Sequence, residues 1–252
     1  MNRVPLLDGE ELDVDTILST HPHVLAVTHP SLGSLPDDAT VFDADFALES
    51  LPDWLAESYD GSPSPAITYE GLASGDATDI RLRADGAAQG NATALQVADS
   101  GSAVSINWDN WSAIHAFVRV SEHPPDAAES YLTLGTDKDF SDAAEHFRIN
   151  VQHDAGSTFW RLVSGGGAVD SSQTGRRPGT MTPTTFGFSI EEHEQGGGHR
   201  ITWEIDGEAM DAWQESGGWP AATNMQLSVG IRTLSTITRT VAFDRFLVIL
   251  VP

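Results

Sequence analysis

The sequence predicts an all-β protein, a sandwich or barrel of antiparallel strands. Three observations carry this. From Val41 onward, apolar and polar residues alternate in segment after segment, the period of strands with one buried face. Gly, Asp, Pro and Ser clusters separate these segments at roughly 8–15-residue spacing, with no helical pattern beyond about three turns between them, which excludes βαβ units. The 252 residues are 40% hydrophobic and include seven tryptophans, enough apolar surface for a core and too much for a disordered chain.

Taken in order, residues 1–40 form an arm. Gly9 to Leu18 places apolar residues at 12, 14, 17 and 18, a short helix with acids in its first turn. His21-Pro22-His23 and His29-Pro30 break it, and Ser34-Leu35-Pro36-Asp37-Asp38 is a turn or linker. The body, residues 41–252, follows as strand segments: 41–48, 66–72, 79–83, 94–97, 103–106, 113–120, 130–135, 146–153, 158–163, 184–191, 199–206, 225–232 and 240–250. Asp206-Gly207 between Trp203-Glu204-Ile205 and Glu208-Ala209-Met210 is a hairpin turn.

Composition narrows the function. Lysine plus arginine is 13, aspartate plus glutamate is 37, and the net charge is −24. Lys138 is the one lysine. A phosphate backbone needs a basic footprint, so nucleic-acid binding is excluded. Apolar runs such as 24–27 and 246–251 are far short of a membrane span. No apolar stretch follows Met1-Asn2-Arg3 as in a classical signal peptide. Cysteine is absent, which excludes disulfides, thiolate metal sites and a cysteine nucleophile. So many dispersed acids repel in dilute buffer and are screened at molar salt, where the Debye length is roughly 3 Å. In this the chain is similar to proteins of halophilic archaea.

The order of motifs carries a further resemblance. Phe42-Asp43-Ala44-Asp45-Phe46 precedes Leu51-Pro52-Asp53-Trp54. The middle has 146–153 and Phe159-Trp160-Arg161-Leu162. The end has Ile201-Thr202-Trp203-Glu204-Ile205-Asp206-Gly207 and Val241-Ala242-Phe243-Asp244-Arg245-Phe246-Leu247-Val248. Residues 41–252 resemble the concanavalin A-like lectin/glucanase jelly roll, the laminin-G-like architecture. The resemblance implies a two-sheet antiparallel jelly-roll sandwich. It is specific to fold and not to activity, since such domains include glycan-binding modules, glycoside hydrolases and structural modules of virions.

Three sets of residues are candidate sites. Glu204, Asp206 and Glu208 stand at i, i+2 and i+4, the E-x-D-x-E pattern of retaining glucanases in this superfamily. The hairpin at Asp206-Gly207 interrupts it, and two acids flanking a turn is the simpler reading, so no catalytic residue is assigned. Alternation puts Arg119, Arg148, Asn150, Gln152 and Arg161 on polar strand faces. If those strands are neighbours, guanidinium and amide groups cluster where they suit sugar hydroxyls, uronates or sialic-type carboxylates; the alternative is that the arginines pair with local acids. Trp219, between glycines and a proline, is a stacking platform for a sugar ring. Asp43, Asp45 and Asp244 lie on the presumed first and last strands, where the resemblance implies a structural calcium site; no other cofactor is expected.

Two functional readings follow. The first is a non-enzymatic structural protein of a halophilic archaeal virus particle: a capsid turret, decoration, spike or tail component. It would be assembled in the host cytoplasm and exposed on the virion. Residues 1–40 would mediate homo-oligomerisation and contacts to other virion proteins, and the sandwich could contact host surface glycans. The second is a halophilic glycan-binding module or glycoside hydrolase.

Overall fold

A computed structural model of the chain describes residues 3–5, 11–13, 38–46, 51–60, 67–70, 79–84, 86, 90–99, 102–103, 106–107, 110–124, 128–135, 146–154, 157–165, 170–173, 184–192, 199–206, 208–215 and 225–252. The strands, in chain order, are β1 (Arg3–Pro5), β2 (Glu11–Asp13), β3 (Thr40–Asp45), β4 (Leu55–Asp60), β5 (Ile67–Glu70), β6 (Asp79–Ala84), β7 (Ala92–Asp99), β8 (Ser102–Ala103), β9 (Ala113–Glu122), β10 (Ala128–Gly135), β11 (His146–Asp154), β12 (Ser157–Gly165), β13 (Asp170–Gln173), β14 (Thr184–Glu192), β15 (His199–Ile205), β16 (Glu208–Glu215), β17 (Gln226–Thr233) and β18 (Arg239–Val251).

β3 to β18 form two eight-stranded sheets, and β1 and β2 a two-stranded one. The front sheet runs β13-β12-β11-β10-β17-β7-β4, with β8 on β7; the back sheet runs β16-β15-β14-β9-β18-β6-β5, with β3 on β18. Pairing among the described strands is antiparallel, so the fold is the expected all-β jelly-roll sandwich. β18 is the spine of the back sheet. β9 runs along one side of it, while β3 and β6 share the other, β6 opposite Arg239–Phe243 and β3 opposite Arg245–Leu250. The register of β18 against β9 slips on either side of Phe243, where the other edge of β18 passes from β6 to β3.

Alternation delivers the core. Leu95, Leu132, Leu134, Ile149, Leu227 and Val229 of the front sheet meet Ile114, Val118, Phe186, Phe188, Trp203 and Phe246 of the back sheet, all buried. Trp54 fills one end, its ring 5.4 Å from Phe42 and 6.0 Å from Phe246. Phe188 and Trp203 meet edge to face at 5.9 Å, a geometry aromatic quadrupoles favour.

Part of the outer face of the back sheet is also out of water. Val41, Phe117, Leu247 and Ile249 stand on it and are buried. Gly187 makes room there: any side chain at that position would strike the Ala116 carbonyl and the Phe117 ring.

The helix expected over 9–18 does not form at 11–13. Glu11-Leu12-Asp13 is strand β2, paired with β1 so that Leu12 faces Val4, and β1 runs beside β3. The apolar spacing fits either period over so short a stretch, and a pairing partner decides for the strand.

Candidate functional site

The front sheet's outer face is built from alternate residues of β7, β17, β10 and β11. On β10, Ala128, Leu132 and Leu134 enter the core, so Glu129, Tyr131 and Thr133 point outward. The ladders extend these into rows. One row runs Ala56–Gln96–Ser228–Thr133–Arg148, the next Ser58–Ala94–Gly230–Tyr131–Asn150, and the third Asp60–Ala92–Arg232–Glu129–Gln152. Gln96, Ser228, Thr133, Arg148 and Glu129 are all buried although they point away from the core.

This polar face is held by specific contacts. Arg232 Nη2 lies 2.6 Å from Glu129 Oε1, with the Glu129 side chain wholly buried and that of Arg232 16% exposed. Gln96 Nε2 donates to Gln226 Oε1 at 3.1 Å. Tyr131 lies over Gly230, where an added Cβ would meet the phenol and the Thr93 carbonyl; Ala92 and Ala94 complete the floor beneath the ring. Small residues on β7 and β17 therefore let one aromatic ring lie between an ion pair and an amide pair. Burying charges costs several kcal/mol per ion unless they are paired, so this is an expensive way to finish a sheet that only needed to pack.

The structure brings some predicted residues together and separates others. Arg148, Asn150 and Gln152 share β11, and the ladder sets Asn150 opposite Arg161 of β12; the side chains of Asn150, Gln152 and Arg161 lie outside the described ones. Arg119 is elsewhere. It stands on β9 of the back sheet, exposed, and faces Asp244 at 3.4 Å. The cluster is divided because β9 and β10 are consecutive in sequence but belong to opposite sheets. Trp219 lies outside the described residues. Sequence reasoning missed Glu129, Tyr131, Gln96, Ser228 and Arg232. The signal was present: Glu129 begins the alternation of β10, a strand taken to start at Ser130.

The proposed calcium aspartates have other partners. Arg245 grips Asp43 with both fork nitrogens, Nε to Oδ1 at 2.9 Å and Nη2 to Oδ2, and Arg119 faces Asp244. The side chain of Asp45 lies outside the described ones. Among the described residues no group of three His, Cys, Asp or Glu could hold a metal ion, and among them no helix is long and apolar enough to cross a membrane.

The E-x-D-x-E pattern does not survive folding as a row of carboxylates. Asp206 takes the left-handed φ of 49° that the hairpin demands. Its carboxylate accepts from Thr185 N at 2.9 Å, and its own amide donates to the Thr185 carbonyl at 2.7 Å. Glu208 is on the return strand opposite Ile205. Glu204 remains buried on the outer face of the back sheet, opposite Gly187, and burial raises its carboxyl to about 7. Glu191, on the same face, is also raised to about 7 by burial, partly offset by the charge of Arg200. Nearby, Ser189 Oγ and His115 Nδ1 are 2.9 Å apart.

No protein-family model matches the sequence, and no curated protein sequence is similar to it. Solved structures are similar in fold. The carbohydrate recognition domain of Emp47p superposes with a TM-score of 0.52 at 9% identity, covering 84% of this chain and 95% of that one. SCLam, a non-specific endo-β-1,3(4)-glucanase, gives 0.52 at 11% identity over 86% and 92%. A glycosidic hydrolase gives 0.50 at 12% identity over 87% and 100%.

The chain has the concanavalin A-like lectin/glucanase fold. At these identities the likeness fixes the architecture. It also corrects one expectation, that the chain is not an enzyme. Two of these three structures are hydrolases, so the fold hosts catalysis, and lack of a familiar motif in the sequence is no argument against it. Catalytic groups on a sheet can come from several strands far apart in sequence.

Proposed function

We propose that this chain is a carbohydrate-active protein that holds a glycan against the outer face of its front sheet, over β7, β17 and β10. The observation that carries this reading is the row of buried hydrogen-bonding groups, Gln96, Ser228, Thr133 and Arg148, beside the Glu129–Arg232 pair. Sugars are recognised by such fixed polar groups around an apolar surface, and Gln226 and Arg232 keep part of their surface in solvent. The fold, shared with a carbohydrate recognition domain and two hydrolases, supports it. In this reading the dispersed acids suit the protein to molar salt, and residues 1–40 attach it to neighbouring subunits or to a virus particle, where glycan contact would serve host attachment.

Titration calorimetry against a panel of soluble polysaccharides in molar KCl tests the assignment. Saturable binding is expected, weakened roughly tenfold by Gln226→Ala and unchanged by Thr202→Ala on the opposite sheet. Binding that ignores Gln226 and fails with Thr202→Ala would contradict it.

Hydrolysis of the bound glycan is a second reading, favoured by Glu129, a carboxylate at the centre of that face, held by Arg232. A glycosidase needs a second carboxyl group about 5–9.5 Å away. Release of reducing ends that Glu129→Gln abolishes is the expected result; release that survives this change removes Glu129 from the reaction.

A further inference from the structure

We infer that the glycan held on the front face carries carboxylates, as in a chain of uronic acids. The inference rests on the reading of that face as the glycan site. The protein has 13 basic residues against 37 acids, so composition alone would place carboxylates at the centre of any face. Here the order is reversed. The described side chains at the centre of the face include two guanidiniums, Arg148 and Arg232, and one carboxylate, Glu129. Arg148 is wholly buried, while the Arg232 side chain is 16% exposed with its Nη2 on Glu129. The ladder sets Arg161 opposite Asn150, one strand beyond the row of Tyr131.

The chemistry fits an acidic sugar better than a neutral one. A guanidinium is a planar fork that matches the two oxygens of a carboxylate, and it stays charged at any physiological pH. The Gln96–Gln226 amide pair offers both donor and acceptor groups suited to sugar hydroxyls. At long range a chain of charge −24 repels a polyanion. At molar salt that repulsion acts over roughly 3 Å, so a short-range guanidinium contact decides affinity.

The test compares polygalacturonate with the same polymer after its carboxyls are reduced to hydroxymethyl groups, titrated into the full chain in molar KCl. The acidic polymer is expected to bind about tenfold tighter, a difference of about 1.4 kcal/mol. Arg232→Gln should remove that preference. Arg232→Lys, which keeps the charge without the fork, should keep part of it, and near-ultraviolet circular dichroism verifies that both variants fold. Equal binding of the two polymers by the unaltered chain would overturn the acidic class while leaving the glycan site standing. So would a preference undiminished in a folded Arg232→Gln. If neither polymer nor any neutral glycan binds, the glycan reading itself fails, and this inference with it.

Discussion

The two sheets present the same kind of surface to each other and different kinds to the outside. Inward, both offer aliphatic and aromatic side chains. Outward, the back sheet buries Val41, Phe117, Leu247 and Ile249 together with His115, Ser189, Thr202 and Glu204, with ion pairs such as Arg119–Asp244 and Arg81–Glu122 in wetter positions. The front sheet buries Gln96, Thr133, Arg148, Ser228 and the Glu129–Arg232 pair. Apolar residues would finish a packing surface at lower cost, because a buried ion pair rarely outperforms a hydrophobic replacement. Both outer faces bury polar groups; the front sheet is distinguished by a buried ion pair and the back sheet by an apolar patch beside its polar groups.

The largest expected effect tests the cost of the front face. Arg232→Met removes the guanidinium 2.6 Å from a fully buried carboxylate and should lower stability by about 3 kcal/mol. Adding Glu129→Met should recover most of that loss. Chemical denaturation of both variants checks this; a double variant as unstable as the single one would show that the face is not an isolated electrostatic feature.

Next in size is a pH effect from the back sheet. The Glu204 carboxyl is raised from 4.5 to about 7 by burial. The folded protein therefore holds a proton between these pH values that the unfolded chain has released. Its contribution to stability is complete below about 4.5 and falls as pH rises through about 7. Glu191 adds a slope of the same sign. Glu204→Gln should flatten the profile and stabilise the protein at pH 8 by on the order of 1–3 kcal/mol. Thermal unfolding from pH 5 to pH 8 gives the slope, and a steeper fall in the variant would contradict the assignment.

Much of the fold was legible in the sequence because burial imposes a period of two. Phe42, Ile149, Phe186, Phe188, Trp203 and Phe246 were expected to be buried and are; Val151, expected with them, has a side chain outside the described ones. Strand β4 escaped notice, since Leu55-Ala56-Glu57-Ser58-Tyr59-Asp60 has few apolar residues to mark a face, as befits an edge position. The site was only half legible. Alternation correctly turned Arg148 away from the core. Which strands lie beside β11 is a matter of topology, and no local pattern reveals that β10 and β17 flank each other while β9 crosses to the other sheet.

Smaller effects grade the back-sheet ion pairs by burial. Asp43→Asn breaks the two-pronged contact with Arg245, whose side chains are 5% and 16% exposed, and should cost about 1–2 kcal/mol. Arg81 and Glu122, 2.9 Å apart but 28% and 49% exposed, should yield under about 1 kcal/mol in a double-mutant cycle, and less still in molar salt. A larger coupling at Arg81–Glu122 than at Asp43–Arg245 would reverse this ranking.

The most direct test of the account is an amide chemical-shift titration of the labelled protein with polygalacturonate fragments in molar KCl. Shifts are predicted at Thr133, Ser228 and Gln226 on the front sheet, with Ser189, Thr202 and Glu204 on the back sheet unmoved. Saturable shifts on the back-sheet residues, with the front-sheet amides silent, would contradict it.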